Sequence, residues 1–143
     1  MAGKKEKSKK WDKNRDILKS IPNPSEEAYE IKLKIPELTF EGVRGQPDFA
    51  HLFITFYPAK KVIELKSLKE YFFSFRSQIY SYERIINVVY DDLMAAYEPQ
   101  RLRLTMVCNP RGGISSKLTV DSDWAARGGN DSFKDWVGQS EEW

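Results

Sequence analysis

The chain has 143 residues with 41% hydrophobic and 13% aromatic side chains, enough for one domain with a substantial core. No run of about 18 apolar residues is present, so we expect no membrane-spanning helix, and no apolar segment near the N-terminus resembles a secretory signal. A single Cys excludes an internal disulfide, and one Cys with one His excludes the usual zinc site. These features favour a cytoplasmic protein without a metal.

The formal net charge of +2 hides a basic N-terminus, where residues 1–16 carry seven Lys or Arg against three Asp or Glu. Few apolar side chains occur there, so we expect residues 1–24 to form a basic, disordered arm. A solubilising arm is the simpler interpretation, and weak contact with nucleic acid is the alternative. Residues 123–143 are polar but contain three Trp, and we expect a tail. The folded domain is predicted to span residues 25–122.

Two strands are predicted in the first half of the domain. Apolar and charged residues alternate over Tyr29–Ile35, which predicts a half-buried strand that ends at Pro36. Residues 37–48 contain two Gly and a Pro and are predicted to form a connector. Phe49–Tyr57 is almost wholly apolar, which predicts a strand covered on both faces or lying at a subunit contact.

Two helices and a hairpin follow. Apolar residues at helical spacing predict helices over about 67–79 and from Ser81 to about Tyr97. Alternation returns over 102–108 and resumes over 114–120. The intervening Asn109–Gly113 is typical of a turn, so this pair reads as a hairpin with a somewhat long loop.

The predicted order is therefore ββααββ, without evident internal repeats. Two helices between two pairs of strands indicate the α+β class, with a four-stranded antiparallel sheet and both helices on one face. The other sheet face and the sheet edges would remain uncovered. We therefore expect a homo-oligomer.

The segment Glu64–Tyr71 opens the first predicted helix. If Ser67 is its N-cap, Lys66 and Lys69 lie near backbone N–H groups without partners, an arrangement that binds anions. The alternative is an amphipathic helix with an ordinary cap and solvated lysines.

Three motifs in this order resemble one family. They are Gly45–Ala50, the Glu64–Tyr71 segment continued by Phe73–Arg76, and Pro110–Ser115. The chain resembles the NADPH-dependent 7-cyano-7-deazaguanine reductases of queuosine biosynthesis, which are nitrile reductases with the tunnelling fold (T-fold). The resemblance implies rings of subunits with sites between them, and reduction of a nitrile to a primary amine by two NADPH. The expected ligand is the small base and not tRNA.

The resemblance also assigns roles to individual positions. It implies that Asp48 is the proton donor and that Glu83 accepts N–H donors of the base, as a carboxylate can. Tyr82, beside it, stands where the family usually has His. The remaining positions are Ile63, Glu64 and Leu65, expected to line the substrate pocket, and Lys66, Lys69 and Arg111, expected near the NADPH phosphates. Without the resemblance, Asp48 would be interpreted as an aspartate in a turn, and Glu83 as an acid in the first turn of a helix. The three cations would be interpreted as surface charges.

One departure from the family concerns its cysteine nucleophile, which attacks the nitrile carbon to give a thioimide. Seven residues before Asp48 stands Glu41, and counting forward from Pro36 gives Gly42 instead. Neither is a cysteine, so any role of Glu41 is open. Alternation places Cys108 on the apolar face of its strand, where a buried, unreactive side chain is expected.

Three hypotheses follow from this departure. The first is a nitrile reductase with an altered nucleophile or with direct hydride delivery. The second is a non-catalytic 7-deazaguanine-binding protein or a regulatory subunit, which the missing thiol favours. The third is another tunnelling-fold enzyme, but those types need metal ligands or the same cysteine, and the chain lacks both.

Overall fold

The structure is a computed structural model that describes residues 14–133. The strands are β1 (Ser20–Pro22), β2 (Ile31–Glu41), β3 (Pro47–Tyr57), β4 (Lys61–Ile63), β5 (Arg101–Arg111) and β6 (Ile114–Asp121), and the α-helices are α1 (Leu65–Phe73) and α2 (Tyr82–Tyr97). Short 3-10 helices span Ser74–Ser77 and Ala125–Arg127. Within residues 14–133, neither helix has the length and apolar character needed to cross a membrane.

Four long strands form an antiparallel sheet in the order β2-β3-β5-β6, and both helices contribute to the core on one of its faces. On that face β3 presents Ala50, Leu52, Ile54 and Phe56, each at most 1% exposed. Alternation along the strand gives this apolar row its common side. The α+β class is confirmed, and the predicted ββααββ order is confirmed for the four strands of this sheet and the two helices. The short strands β1 and β4 form a separate two-stranded sheet that the sequence did not predict.

The opposite face of β3 is covered over only part of its length. Phe53 and Thr55 are buried there, and Lys32 Nζ donates to Thr55 Oγ1 at 3.1 Å. Nearer the start of the strand, Phe49 and His51 are exposed. The almost wholly apolar sequence of this strand therefore reflects burial on one face along its length and on the other face at one end.

Strand β2 continues beyond Pro36, where the sequence predicted its end. The β2–β3 pairing shifts register between Ile35 and Leu38, which marks a bulge on this edge strand, and edge bulges accommodate proline. Pairing then resumes as far as Glu41 opposite Pro47. The predicted 37–48 connector is thus a hairpin with a short turn.

Helix α1 begins and ends earlier than predicted. Its N-cap is Glu64 and not Ser67, because the Glu64 carboxylate accepts from Ser67 N at 2.8 Å and from Lys66 N at 3.0 Å. At the other end, Ser74 Oγ donates to the Tyr71 carbonyl at 2.6 Å, and the chain tightens into a 3-10 turn. Periodicity alone did not reveal either boundary.

The β5–β6 hairpin has a tighter turn than predicted. Its two linking residues, Gly112 and Gly113, have φ values of +59° and +80°, which a two-residue type I′ turn requires. The register shift between Cys108 and Arg111 absorbs the preceding Asn109-Pro110. This turn fixes Arg111 at the end of β5.

The N-terminal boundary differs from the predicted arm. Strand β1 pairs with β4, so that Ser20 lies opposite Ile63. Arg15 Nε contacts Asp92 Oδ1 at 2.9 Å, and Tyr71 donates to Asp92 Oδ2 at 2.6 Å. Residues 14–22 are therefore part of the fold, while residues 1–13 lie outside the described residues.

The start of the predicted polar tail folds back on the domain. The Asp123 carboxylate accepts from Phe133 N at 2.8 Å and from Ser132 N at 3.1 Å. The Phe133 ring packs edge-on against Tyr57, with centroids 4.9 Å apart. Residues 134–143, which include Trp136 and Trp143, lie outside the described residues.

Candidate active site

A cleft of about 150 Å³ lies where the start of β3, the end of β5 and the start of α2 meet. We call it the Asp48 cleft, and it is lined by Val43, Gln46, Asp48, Tyr80, Ser81, Tyr82, Glu83 and Arg111. Three sequence segments that are far apart along the chain thus place two carboxylates and one guanidinium around one depression.

Asp48 is the buried acid of this cleft. It lies on the same face of β3 as Ala50 and is 6% exposed. The Arg111 guanidinium forms an ion pair with its carboxylate, and the Arg111 side chain is 45% exposed. In the amide orientation that satisfies both groups, Gln46 Oε1 accepts from Arg111 Nη2 at 3.0 Å. The partly exposed guanidinium of Arg111 therefore balances the negative charge of the buried Asp48 carboxylate.

The turn before β3 approaches Asp48 through a glycine. Gly42 N donates to the Gln46 carbonyl at 2.7 Å, and Gly45 N donates to the Gly42 carbonyl at 2.8 Å. A Cβ on Gly42 would lie 2.5 Å from Asp48 Oδ2 and would also overlap the Gln46 amide. Only a glycine leaves these two side chains where they are.

The start of α2 supplies the second carboxylate. Ser81 Oγ accepts from Arg84 N at 3.2 Å and caps the helix, which places Glu83 in the first turn, where the helix dipole favours an anion. The Tyr82 ring packs edge-on against Phe40 at 5.9 Å between centroids. Burial is the main cause that raises the pKa of Tyr82, so its phenol stays protonated at neutral pH. Glu83 itself is exposed but borders the cleft.

Glu41 lies apart from this cleft. In the β2–β3 register, Phe40 lies opposite Asp48 and Glu41 lies opposite Pro47. Paired residues share a sheet face and successive residues alternate, so Glu41 projects from the face opposite to Asp48. The structure therefore does not bring the residue at the expected nucleophile position to the proposed proton donor. Gly42, the other candidate position, has no side chain.

Cys108 is buried as predicted. It lies opposite Ala50 on the helix-covered face and is 2% exposed. Burial, with a smaller contribution from the charge of Glu83, raises the pKa of the thiol to about 11. At neutral pH the thiol is therefore protonated and unreactive.

A second depression, of about 510 Å³, lies between β2 and α1. We call it the α1 groove, and it is lined by Leu33, Lys34, Ile35, Pro36, Glu37, Leu65, Leu68, Lys69, Phe72, Phe73 and Arg76. Arg76 stacks over the Phe73 ring at 4.6 Å. Three cations around an apolar floor suit a ligand that joins phosphates to flat rings, as a dinucleotide does.

The rest of the predicted 63–69 strip has other surroundings. Ile63 is 7% exposed within the core. The hydrogen bond from Ser67 N is the main cause that lowers the pKa of Glu64, whose carboxylate occupies the first N–H groups of α1. The anion site predicted at this helix start is therefore already filled. Lys66 is exposed in the same turn.

The Asp48 cleft and the α1 groove share no lining residue within the described part of the chain. Arg111 borders the first and Lys69 the second, so one subunit does not assemble the predicted cation trio. Sequence reasoning missed Arg76, although it follows Lys69 by two helical turns and the spacing could have revealed it. Among residues 14–133, no group of three His, Cys, Asp or Glu side chains could hold a metal.

Comparison with known proteins gives consistent results. A family model described as QueF-like protein matches residues 47–127. The NADPH-dependent 7-cyano-7-deazaguanine reductase of Nitrosospira multiformis is 44% identical over 112 residues, covering 77% of this chain and 78% of the relative. The enzyme of the same name from Gloeobacter violaceus is 41% identical over 99 residues, covering 68% of this chain and 72% of the relative.

The fold also occurs among solved structures. The crystal structure of the archaeosine synthase QueF-Like in its apo form superposes with a TM-score of 0.58, covering 64% of this chain and 91% of that chain. The two sequences are 15% identical, so this likeness concerns the fold alone. It confirms the tunnelling fold.

Proposed function

The chain belongs to the QueF-like family, and on that premise we propose that it is an NADPH-dependent reductase of the carbon–nitrogen substituent of a 7-deazaguanine base. The overall conversion takes 7-cyano-7-deazaguanine through an imine to 7-aminomethyl-7-deazaguanine in queuosine biosynthesis, and we propose that this chain catalyses reduction within that conversion, in the cytoplasm. The observation that carries the proposal is the meeting of Asp48, Glu83 and Arg111 in one cleft.

Glu83 is the proposed anchor of the base. A carboxylate beside a cleft can accept two N–H donors from a guanine-like edge, and it disfavours an edge that presents acceptors. The Tyr82 ring and Val43 provide apolar surface next to it for a flat heterocycle. The size and chemistry of this cleft therefore suit a small base rather than a nucleic acid strand.

Asp48 is the proposed proton donor. Its carboxyl group is almost fully buried and lines the cleft, within reach of a base that binds there. An anion that bound Arg111 from solvent would weaken the ion pair between Arg111 and Asp48, because the anion and Asp48 would compete for the guanidinium. The Gly42 backbone approaches the carboxylate closely, since a Cβ on Gly42 would lie 2.5 Å from Asp48 Oδ2.

The α1 groove is the proposed site for NADPH. Lys69, Arg76 and Lys34 would meet its phosphates, with Lys66 nearby, and the floor of Leu68, Phe72 and Phe73 would meet its rings. When bound, NADPH supplies the hydride. Because groove and cleft are separate in one subunit, we propose a homo-oligomer in which the groove of one copy adjoins the cleft of another, with Leu65 and Glu64 at that contact.

Equilibrium binding tests the base site. We expect 7-cyano-7-deazaguanine to bind the full chain in a calorimetric titration, and Glu83→Gln to weaken binding by about 10- to 100-fold, since charge-assisted hydrogen bonds are lost. Glu70→Gln, which changes an exposed acid on α1, is the matched control and should bind normally. Equal affinities in both variants would refute this site.

A second candidate function is a non-catalytic base-binding subunit. The observation that favours it is the lack of a reactive thiol, because Cys108 is buried and protonated. Binding of the base together with no nicotinamide oxidation on any carbon–nitrogen substrate would support it. Nicotinamide oxidation on such a substrate that is lost in Asp48→Asn would reject this second candidate function.

A further inference from the structure

We infer, resting on the proposed function, that this protein acts on a carbon–nitrogen double bond, an imine at the 7-position of the base, and does not activate a nitrile. Reduction of a nitrile to an amine takes two hydride steps, and the first produces an imine. The residues of the Asp48 cleft suit the second step and lack what the first requires.

The first step requires a nucleophile. A nitrile is a poor hydride acceptor until a soft nucleophile has added to its carbon. The chain has a single cysteine, Cys108, so a neighbouring copy could only contribute the same residue. That residue is 2% exposed and covered by helices, and it does not line the Asp48 cleft.

The other polar side chains of the cleft do not replace a thiolate. Ser81 Oγ is engaged as the cap of α2. The phenol of Tyr82 packs on Phe40 and stays protonated, since burial raises its pKa. Asp48 and Glu83 are carboxylates, which are hard and weak nucleophiles for a nitrile carbon.

The positions before Asp48 do not supply the nucleophile either. Glu41 projects from the opposite face of the sheet, as the pairing of Phe40 with Asp48 shows. Gly42 has no side chain, and the Gln46 amide and the Asp48 carboxylate already occupy the space where a Cβ would stand. A cysteine at Gly42 would therefore require the ends of the Gln46 and Asp48 side chains to move.

The same cleft suits an imine. Asp48, Glu83 and Arg111 together give it a formal charge of −1, which favours a protonated imine over a neutral nitrile. A protonated imine accepts hydride without covalent activation. Transfer of a proton from the Asp48 carboxyl group to the neutral imine forms the new N–H bond, gives the protonated imine and leaves Asp48 as the carboxylate that pairs with Arg111. The hydride from a reduced nicotinamide would then form the new C–H bond, the π electrons would become the lone pair of the amine nitrogen, and the nicotinamide would be oxidised.

The test compares two substrates on the full chain. Mixing 7-formyl-7-deazaguanine with ammonium produces the imine in solution, and 7-cyano-7-deazaguanine provides the nitrile. We expect nicotinamide oxidation and formation of the 7-aminomethyl base with the imine to be at least about 100-fold faster than with the nitrile, a conservative bound because loss of a nucleophile can cost several orders of magnitude in rate. The aldehyde without ammonium is the control for reduction to an alcohol, and Asp48→Asn should slow the imine reaction.

Two measurements that do not depend on turnover complete the test. Intact-protein mass spectrometry after incubation with the nitrile should show no covalent adduct, and calorimetry should show binding of both bases. A nitrile adduct, or nitrile turnover at a similar rate, would overturn the inference and leave the proposed reductase intact. Binding without turnover of either substrate would overturn both, and no binding of either base would overturn the proposed site.

Discussion

The Arg111 guanidinium, at the end of β5, lies against the Asp48 carboxylate at the start of β3. The two partners differ in burial, because the Asp48 side chain is 7% exposed and that of Arg111 is 45% exposed. Removal of the arginine would therefore leave a buried carboxylate, whereas removal of the aspartate would leave a cation that solvent can reach. The contact ties the two hairpins together at the cleft.

A double-mutant cycle on this pair is the first prediction. Arg111→Gln should lower the free energy of unfolding by about 1–2 kcal/mol, discounted for the exposure of the guanidinium. In an Asp48→Asn background the same change should cost less, with a coupling of about 1 kcal/mol. Urea unfolding of the four proteins measures these values. Strict additivity would mean that the ion pair does not contribute.

Gly42→Ala tests the close approach to Asp48. The added Cβ should displace the ends of the Gln46 and Asp48 side chains and thereby weaken binding of the base, while lowering stability by only about 1 kcal/mol because these side-chain ends can move. Gly45→Ala is the matched control in the same turn, because its φ of +80° makes alanine strained but its Cβ would contact nothing. The control should lose stability and keep its affinity. A comparable loss of affinity in both variants would count against the role of Gly42.

The Cys108 thiol should lose its proton only at alkaline pH, and it should react slowly with alkylating reagents. Because its pKa is raised from 9.0 to about 11, the unfolded chain releases the thiol proton at lower pH than the folded protein does. The stability that this thiol contributes is therefore complete below pH 9 and is lost as pH rises through 9 to 11. The loss of stability over that window should be smaller in Cys108→Ala, by about 1–3 kcal/mol.

Alkylation gives an independent reading of the same thiol. Iodoacetamide at pH 8 should modify the folded protein slowly and the urea-unfolded protein rapidly. Fast labelling of the folded protein would show that Cys108 is accessible, and Cys108 would then again be a candidate for the nucleophile.

Arg15 tests whether the N-terminal segment belongs to the fold. Its guanidinium contacts Asp92, whose side chain is 1% exposed and also accepts a hydrogen bond from Tyr71. Arg15→Ala should therefore cost about 1–3 kcal/mol in thermal or urea unfolding, since the buried carboxylate loses its charged partner. Arg44→Ala, an exposed arginine in the β2–β3 turn, should change stability little. Equal effects would support the flexible arm that composition suggested.

Element order was predictable because strands and helices bury their apolar residues at different spacings. The alternation over Tyr29–Ile35 and the helical spacing after Ser81 each correspond to an observed element. Boundaries were less predictable, because they depend on individual contacts. Glu64 replaced Ser67 as a cap through two hydrogen bonds, and the bulge near Pro36 let β2 continue.

The sequence by itself determined the class of fold, the burial of Cys108 and the set of polar residues available for chemistry. Only the tertiary structure decided which of them meet: Glu83 with Asp48 and Arg111 in one cleft, Lys69 in a separate groove, and Glu41 on the other face of the sheet. The physical reason is that periodicity reports burial along one element. Proximity between elements depends on strand register and on turns, and a shift of one residue reverses the face on which a side chain lies.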